Sequence, residues 1–177
     1  MILNERETRN EQVISIAKQM MTAARTAPKA RGEDIVETIT ITHEHIKQLS
    51  DAMLEVLTPD GKRRFERDGN NILKAECIVL IGTRSMNMAL DCAYCGYNTC
   101  AEKKKEVPCA MNNIDVGIAI GSACATAADF RVDTRVMYSA GKIAQQLGWL
   151  KNCSSVIAIP VSASSKNPFF DRPAPKK

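Results

Sequence analysis

The stretch CIVLIGT, residues Cys77–Thr83, is the most strand-like segment of the sequence. It is short and apolar, β-branched side chains are frequent in it, and it closes at Gly82. A strand without an alternating polar face is typical of the middle of a sheet that is covered on both sides. The sequence therefore predicts a central strand here, buried on both faces.

Further strands are predicted on either side, at Ile35–Ile41 (IVETITI) and in SSVIAIPVS. Helical spacing of apolar residues predicts the helices between and around them. The predicted helices run from about Glu7 to Thr26, from an N-cap at Thr42, over the short pieces KRRFERD and NNILKA, from an N-cap at Asp115, and from Thr134 to Leu147. Helices interleaved with three short strands predict an α+β fold, a three-layer-like α/β sandwich with helices around a small sheet.

Length and composition are those of a single globular domain, residues 1–177, with 45% hydrophobic and 25% charged residues. The formal net charge of +4 is modest, so nucleic-acid binding is not expected. The charged N-terminus is unlike a signal peptide, and no apolar run would span a membrane, which predicts a cytoplasmic protein. The dinucleotide and P-loop glycine motifs are absent, and no hydrolase triad is indicated.

Four of the seven cysteines lie in DCAYCGYNTCAEKKKEVPCA, residues 91–110, with the spacing C-x2-C-x4-C-x8-C. This spacing favours one [4Fe–4S] cluster held by Cys92, Cys95, Cys100 and Cys109 in an inserted cluster-binding segment. Structural zinc remains an alternative, although zinc sites usually show two C-x2-C pairs. Two further alternatives are a thioredoxin-type C-x-x-C motif and a set of unliganded thiols.

The other three cysteines are Cys77, Cys124 and Cys153, which lie among apolar or small residues. Cysteine is one of the most frequently buried residue types, and this setting predicts buried structural thiols. The sequence assigns them no further role.

Five segments together resemble a prokaryotic family that is described only as containing a ferredoxin domain and that occurs mainly in anaerobes. The segments that carry the resemblance are ARTAPKARGED (Ala24–Asp34), CAYCGYNTC…PC (Cys92–Cys109), DVGIAIGSACATAAD (Asp115–Asp129), VDTRVMYSAG (Val132–Gly141) and KNPFFDR (Lys166–Arg172). The resemblance covers nearly the whole chain and implies an iron–sulfur protein. It implies no particular activity.

A first helix ending in A-R-x-A-P, followed by a loop and a strand, is also similar to the FMN-dependent nitroreductases. Ala27 and Pro28 match the flavin-loop pattern of that superfamily, whereas Lys29 replaces its Ser. The resemblance implies a nitroreductase-like fold and an intertwined homodimer with flavin at the interface. If FMN is bound, Arg25, Lys29 and Arg31 are the expected cations for its phosphate, beside Ala27 and Pro28.

The helix after Asp115 is rich in small residues. These residues fit either close packing in the core or the subunit interface of a homodimer.

These observations predict an oxidoreductase that passes electrons between a [4Fe–4S] cluster and a bound FMN. The alternative is a non-enzymatic electron carrier or redox sensor without flavin, and a third reading is a purely structural metal. The expected partners are a second copy of the chain and an electron-transfer protein. The sequence indicates neither the substrate nor the electron donor.

Overall fold

The computed structural model describes residues 1–56 and 62–170, with only the backbone of Lys62. Asp171 and Arg172, the last residues of the KNPFFDR segment, lie outside this range. Within it the chain forms one four-stranded antiparallel sheet in the order β1-β2-β4-β3. The strands are β1 (Val36–Ile41), β2 (Cys77–Arg84), β3 (Asp133–Thr134) and β4 (Cys153–Ser162).

The predicted central strand is confirmed, because β2 lies between β1 and β4 and is buried from Cys77 through Thr83. Leu80 pairs with Ile39 of β1 on one side and with Ala158 of β4 on the other. Successive side chains of a strand point to opposite faces. The apolar residues of β2 therefore enter two separate cores.

Five α-helices cover the two faces of the sheet within the described ranges. They are α1 (Glu5–Thr26), α2 (His43–Leu54), α3 (Lys62–Ile72), α4 (Ala110–Asp129) and α5 (Tyr138–Gln146). One core joins α1 and α4 to Val79 and Ile81 of β2. The other joins α2, α3 and α5 to Ile78 and Leu80. The three-layer α+β architecture predicted from the sequence is confirmed.

Three element predictions need correction. The two short helical pieces after residue 61 are one helix, α3. Residues 133 and 134 form the fourth strand, β3, so the last helix begins at Tyr138 and not at Thr134. The reason is a backbone pairing: Met137 donates to the Ala158 carbonyl at 2.8 Å and accepts from the Ala158 N–H at 3.1 Å, which keeps the chain extended up to this point.

The expected N-cap at Asp115 is also wrong, because α4 begins at Ala110 and its N-cap is Cys109. Asp115 lies in the second turn of α4 and is 2% exposed. Its carboxylate accepts a hydrogen bond from the backbone N–H of Ala30, at 3.0 Å. An aspartate accepts from a distant N–H as readily as from its own helix, and the local sequence does not distinguish the two.

No helix in residues 1–56 and 62–170 is both long and apolar enough to cross a membrane.

Helix α5 packs directly on the backbone of β4 at Gly141. A Cβ atom at this glycine would lie 2.1 Å from the Val156 carbonyl oxygen, closer than any real contact. We therefore expect Gly141→Ala to lower the free energy of unfolding by about 3 kcal/mol, because the helix must move off the strand. Urea denaturation would measure this loss. Lys142→Ala, at the exposed neighbouring position, is the control and should change stability by less than about 0.5 kcal/mol.

Candidate metal centre

The four clustered cysteines lie on the connection between β2 and α4. This connection, residues 85–109, contains turns and bends but no helix or strand. All four side chains line one cavity, together with Met88, Tyr97 and Lys103 among others. Cys109 is buried, and the other three are half-buried. The structure thus brings together the four cysteines that the sequence singled out.

The backbone entering this cavity has an unusual conformation. The φ angle is positive at Ala89 (49°), Asp91 (45°) and Ala93 (61°), and it is negative at the residues between them. Left-handed backbone is costly for residues other than glycine and is concentrated at functional sites. Gly96, with φ of 86°, supplies the next tight turn without this cost.

Hydrogen bonds hold Cys100 on both sides of its backbone. Its N–H donates to the Asp91 carboxylate at 2.6 Å, and its carbonyl accepts from the Asn87 side-chain amide at 3.2 Å. The Asn87 side-chain oxygen Oδ1 in turn accepts from the N–H of Ala89 at 2.9 Å. The loop is therefore closed by its own polar side chains around the cavity.

Cys109 occupies the N-cap position of α4, a helix of 20 residues. The free N–H groups and the dipole at a helix N-terminus favour negative charge, such as that of thiolates and of a cluster bound by them. Pro108 precedes it and fixes the approach of the chain. The fourth ligand position is thus set by the start of a long, packed helix rather than by the loop.

The donor set fits a four-iron cluster. Four thiols surround one cavity, and a cubane binds each thiolate to a different iron. In residues 1–56 and 62–170 no group of three or more His, Cys, Asp and Glu side chains is close enough together to hold a single metal ion. Zinc also takes four thiolates and would need the four side chains to move closer together, so zinc stays an alternative that metal analysis must address.

The remaining cysteines lie away from this cavity. Cys77 and Cys153 are buried, and burial raises their pKa values to about 12 and about 11, respectively. Burial also raises the pKa of the half-buried Cys124 thiol. A thiol of raised pKa is a poor nucleophile and a poor metal ligand at neutral pH. The predicted burial is confirmed for Cys77 and Cys153, whereas Cys124 is only half-buried.

The candidate flavin loop lies beside an open depression of about 480 Å³. Its lining consists of Arg25, Ala27, Pro28, Lys29, Gly32 and Asp34. Two of the predicted cations hold protein groups there: Arg25 donates to the Asp34 carboxylate and the Val36 carbonyl, both at 2.5 Å. Lys29 donates to the carbonyls of Arg25 (2.5 Å) and Ala27 (2.8 Å) at the end of α1.

Arg31, the third predicted cation, points elsewhere. Its guanidinium donates to the Met88 carbonyl at 2.9 Å, on the segment that leads into the cysteine loop. Arg31 has φ of 56° within the short turn Ala30–Gly32, so this position too is strained. The candidate flavin loop and the cysteine loop are therefore neighbours, which the sequence did not predict.

Sequence reasoning missed two buried polar residues next to this contact, Asn112 and Asp115. The Asn112 side-chain carbonyl accepts from the N–H of Met86 at 2.9 Å, and Asp115 accepts from Ala30 as described. Both partners lie far away in the chain. The only signal available was the group of polar residues Asn112, Asn113 and Asp115 near the start of a helix that is otherwise rich in apolar and small residues.

Comparison with known families and proteins assigns the chain to a family. A model described as "Uncharacterized protein containing a ferredoxin domain (DUF2148)" matches residues 105–172, a range that includes Cys109 but not the other three cavity cysteines. An uncharacterized protein of Archaeoglobus fulgidus is 38% identical over 187 aligned residues, which cover 100% of both chains. The chain belongs to this ferredoxin-domain family.

Similar solved structures are nitroreductase-like flavoproteins. A BluB-like flavoprotein from Clostridium difficile 630 has a TM-score of 0.60 at 16% identity, covering 92% of this chain and 85% of its own. A nitroreductase family protein from Clostridium novyi NT has a TM-score of 0.57 at 13% identity, covering 84% and 73%. A nitroreductase with bound FMN from Bacteroides fragilis NCTC 9343 has a TM-score of 0.56 at 10% identity, covering 85% and 77%. The nitroreductase-like fold of this ferredoxin-domain protein is thereby confirmed.

Replacement of one cavity cysteine should remove the metal. We expect Cys95→Ser, in anaerobically purified protein, to lose most of the bound iron and sulfide and the broad visible absorbance, because a hydroxyl is a poor substitute for a thiolate on iron. Cys124→Ser is the matched control and should keep both. A full cluster in the Cys95 variant would contradict the ligand assignment.

Proposed function

We propose that the protein is an iron–sulfur oxidoreductase that passes electrons between a [4Fe–4S] cluster and a bound flavin. The observation that carries the proposal is the convergence of Cys92, Cys95, Cys100 and Cys109 on one cavity at the N-terminus of α4. Such a cluster supplies one-electron transfer, and a flavin links one-electron to two-electron chemistry. All seven cysteines are free thiols, which suits the reducing cytoplasm predicted from the sequence.

The surroundings of the cavity suit exchange of electrons with another protein. Three of its cysteines are half-buried, so a cluster would lie near the surface. Three apolar side chains on the same connection are exposed: Met86 by 37%, Leu90 by 41% and Tyr94 by 72%. Small apolar patches of this kind form the centres of transient electron-transfer interfaces. We assign this patch to the proposed electron-transfer partner.

The flavin part of the proposal is supported by the fold and by proximity. Arg31 joins the candidate flavin loop to the segment preceding the cysteines, so a flavin bound at the depression would lie near the cluster. Arg25 and Lys29 provide positive charge at this depression. Both contacts of Arg25 described above use one guanidinium nitrogen, Nη1, so Nε and Nη2 are the donors that a phosphate would use.

A second candidate is an electron carrier or redox sensor without flavin. The observation that favours it is the carboxylate of Asp34, which lies 2.5 Å from Arg25 in the depression and would repel a phosphate there. In this case the cluster alone carries the function. The measurement of flavin content separates the two candidates.

We also propose that the protein is a homodimer that pairs through the outer face of α4. Ile114 and Ile118 on this face are 42% and 41% exposed. Nothing lies within 4 Å of the position that a Cβ would take at Gly117 or Gly121 on the same face. Small residues let two helices approach closely, and a face without charge pairs well with its own copy. Because Gly117 and Gly121 have no close neighbours, they favour the subunit interface over the core packing that the sequence also allowed.

Substitution on this face tests the dimer. We expect Ile118→Glu to convert the dimer into a monomer, because it buries one carboxylate from each subunit at the pairing surface. Light scattering after size-exclusion chromatography would measure the mass. Leu73→Glu, at a position 50% exposed outside this face, is the control and should remain dimeric. A monomeric wild-type protein would contradict the proposal.

The candidate flavin cations can be tested by titration. We expect Arg25→Ala combined with Lys29→Ala to raise the dissociation constant for FMN by about tenfold, the effect of removing favourable charge near a phosphate. Quenching of flavin fluorescence would report binding. Lys18→Ala, exposed on α1, is the matched control. An unchanged affinity in the double variant would remove these residues from the site.

The decisive test is the content of the anaerobically purified protein. Iron, sulfide, zinc and acid-released flavin are measured per chain. About four irons, four sulfides and one flavin are expected for the oxidoreductase. Iron and sulfide without flavin, even after FMN is added, would leave the carrier or sensor. Zinc without sulfide would contradict both.

A further inference from the structure

Three hydrogen bonds between side chains and backbone join the candidate flavin turn, the start of α4 and the segment 84–91 that leads into the cysteine loop. Asp115 of α4 accepts from Ala30 of the turn at 3.0 Å. Arg31 of the turn donates to the Met88 carbonyl of the segment at 2.9 Å. Asn112 of α4 accepts from Met86 of the segment at 2.9 Å. Each bond joins a different pair of these three parts, so together they form a closed triangle.

The side chains that accept two of the three bonds are buried. Asn112 is 1% exposed and Asp115 is 2% exposed, and they lie three positions apart on one face of α4. Next to them, Ile35, Met88 and Cys109 form a small apolar cluster of buried residues. Breaking either bond leaves a buried side-chain oxygen of Asn112 or Asp115 without its partner, so these bonds resist opening.

Both buried side chains also carry an atom that makes no hydrogen bond to any described residue, Asn112 Nδ2 and Asp115 Oδ2. A buried polar atom without a partner is unfavourable, and an apolar residue at either position would avoid this cost. The presence of both residues despite this cost indicates that the bonds to Ala30 and Met86 have a role other than stabilising the fold.

We propose that Asp115 is a positioning residue that makes the order of residues 28–34 depend on the loading of the cluster; this rests on the proposed function. Cys109 fixes the start of α4, and Cys92, Cys95 and Cys100 follow directly on the segment 84–91. A bound cluster therefore holds two corners of the triangle to each other. The turn Ala30–Gly32 is the third corner and is held through Asp115 and Arg31.

Hydrogen–deuterium exchange of the anaerobic protein, followed by mass spectrometry, tests the coupling. Backbone amides in residues 28–34 should exchange at least about fivefold more slowly in cluster-loaded than in cluster-free wild type. In Asp115→Ala this difference should disappear while iron and sulfide content stay at the wild-type level. Asp115→Asn keeps an acceptor oxygen for Ala30 and should restore the difference.

Ser122→Ala is the matched control, because Ser122 also ties α4 to distant backbone, donating to the Ala23 carbonyl at 3.1 Å away from the cavity. It should keep the loading-dependent protection. If Asp115→Ala also loses iron, Arg31→Ala is measured in its place, because Arg31 is exposed. Loss of the loading-dependent protection in Arg31→Ala supports the coupling. Protection that persists in the substituted protein overturns it.

Two failures are distinguishable in the same samples. A wild-type protein that takes up no iron and sulfide contradicts the proposed function. A loaded wild-type protein whose residues 28–34 exchange as fast as those of the cluster-free protein contradicts the coupling alone.

Discussion

Burial of β2 on both faces is the constraint on which the other elements depend. Each of its aliphatic side chains contributes about 1.5–3 kcal/mol when fully removed from water, and both sets must be covered by helices. The helices α1 and α4 cover one face of the sheet, and α2, α3 and α5 cover the other. The end of β2 and the start of α4 are therefore held at fixed positions, and the connection between them is free to be irregular.

The contrast between the fixed layers and the irregular connection explains the location of the cysteines. An irregular backbone with several left-handed residues is unstable by itself, but here both of its ends are anchored in the packed layers. Cys109 belongs to the rigid end, at the N-cap of α4, while Cys92, Cys95 and Cys100 belong to the loop. The candidate centre thus combines one ligand set by the fold with three set by local turns. Such a combination allows a cluster to be taken up by the loop without disturbing the sheet.

In this nitroreductase-like fold, the loop after α1 lies next to the candidate metal centre. In this chain the loop after α1 does not stand alone, because its turn contacts both the cysteine segment and α4 through Arg31 and Asp115. The exposed apolar face of α4 lies on the outer side of the same helix. A cluster, a flavin loop and a pairing surface would all be organised by one helix, which accounts for its mixture of small, polar and apolar residues.

The sequence by itself determined the central strand, the helical layers and the four candidate ligands. Strand and helix periodicity are local properties, and the spacing of Cys92, Cys95, Cys100 and Cys109 is written in the chain. It predicted the start of α4 and of α5 wrongly, because those boundaries depend on pairing with distant backbone, as at Met137 and Ala158.

Only the tertiary structure placed the turn Ala30–Gly32 against the cysteine segment. The residues joined there, Asp115 with Ala30 and Arg31 with Met88, are 85 and 57 positions apart. A hydrogen bond between such residues forms only after the layers have packed, so no local pattern records it.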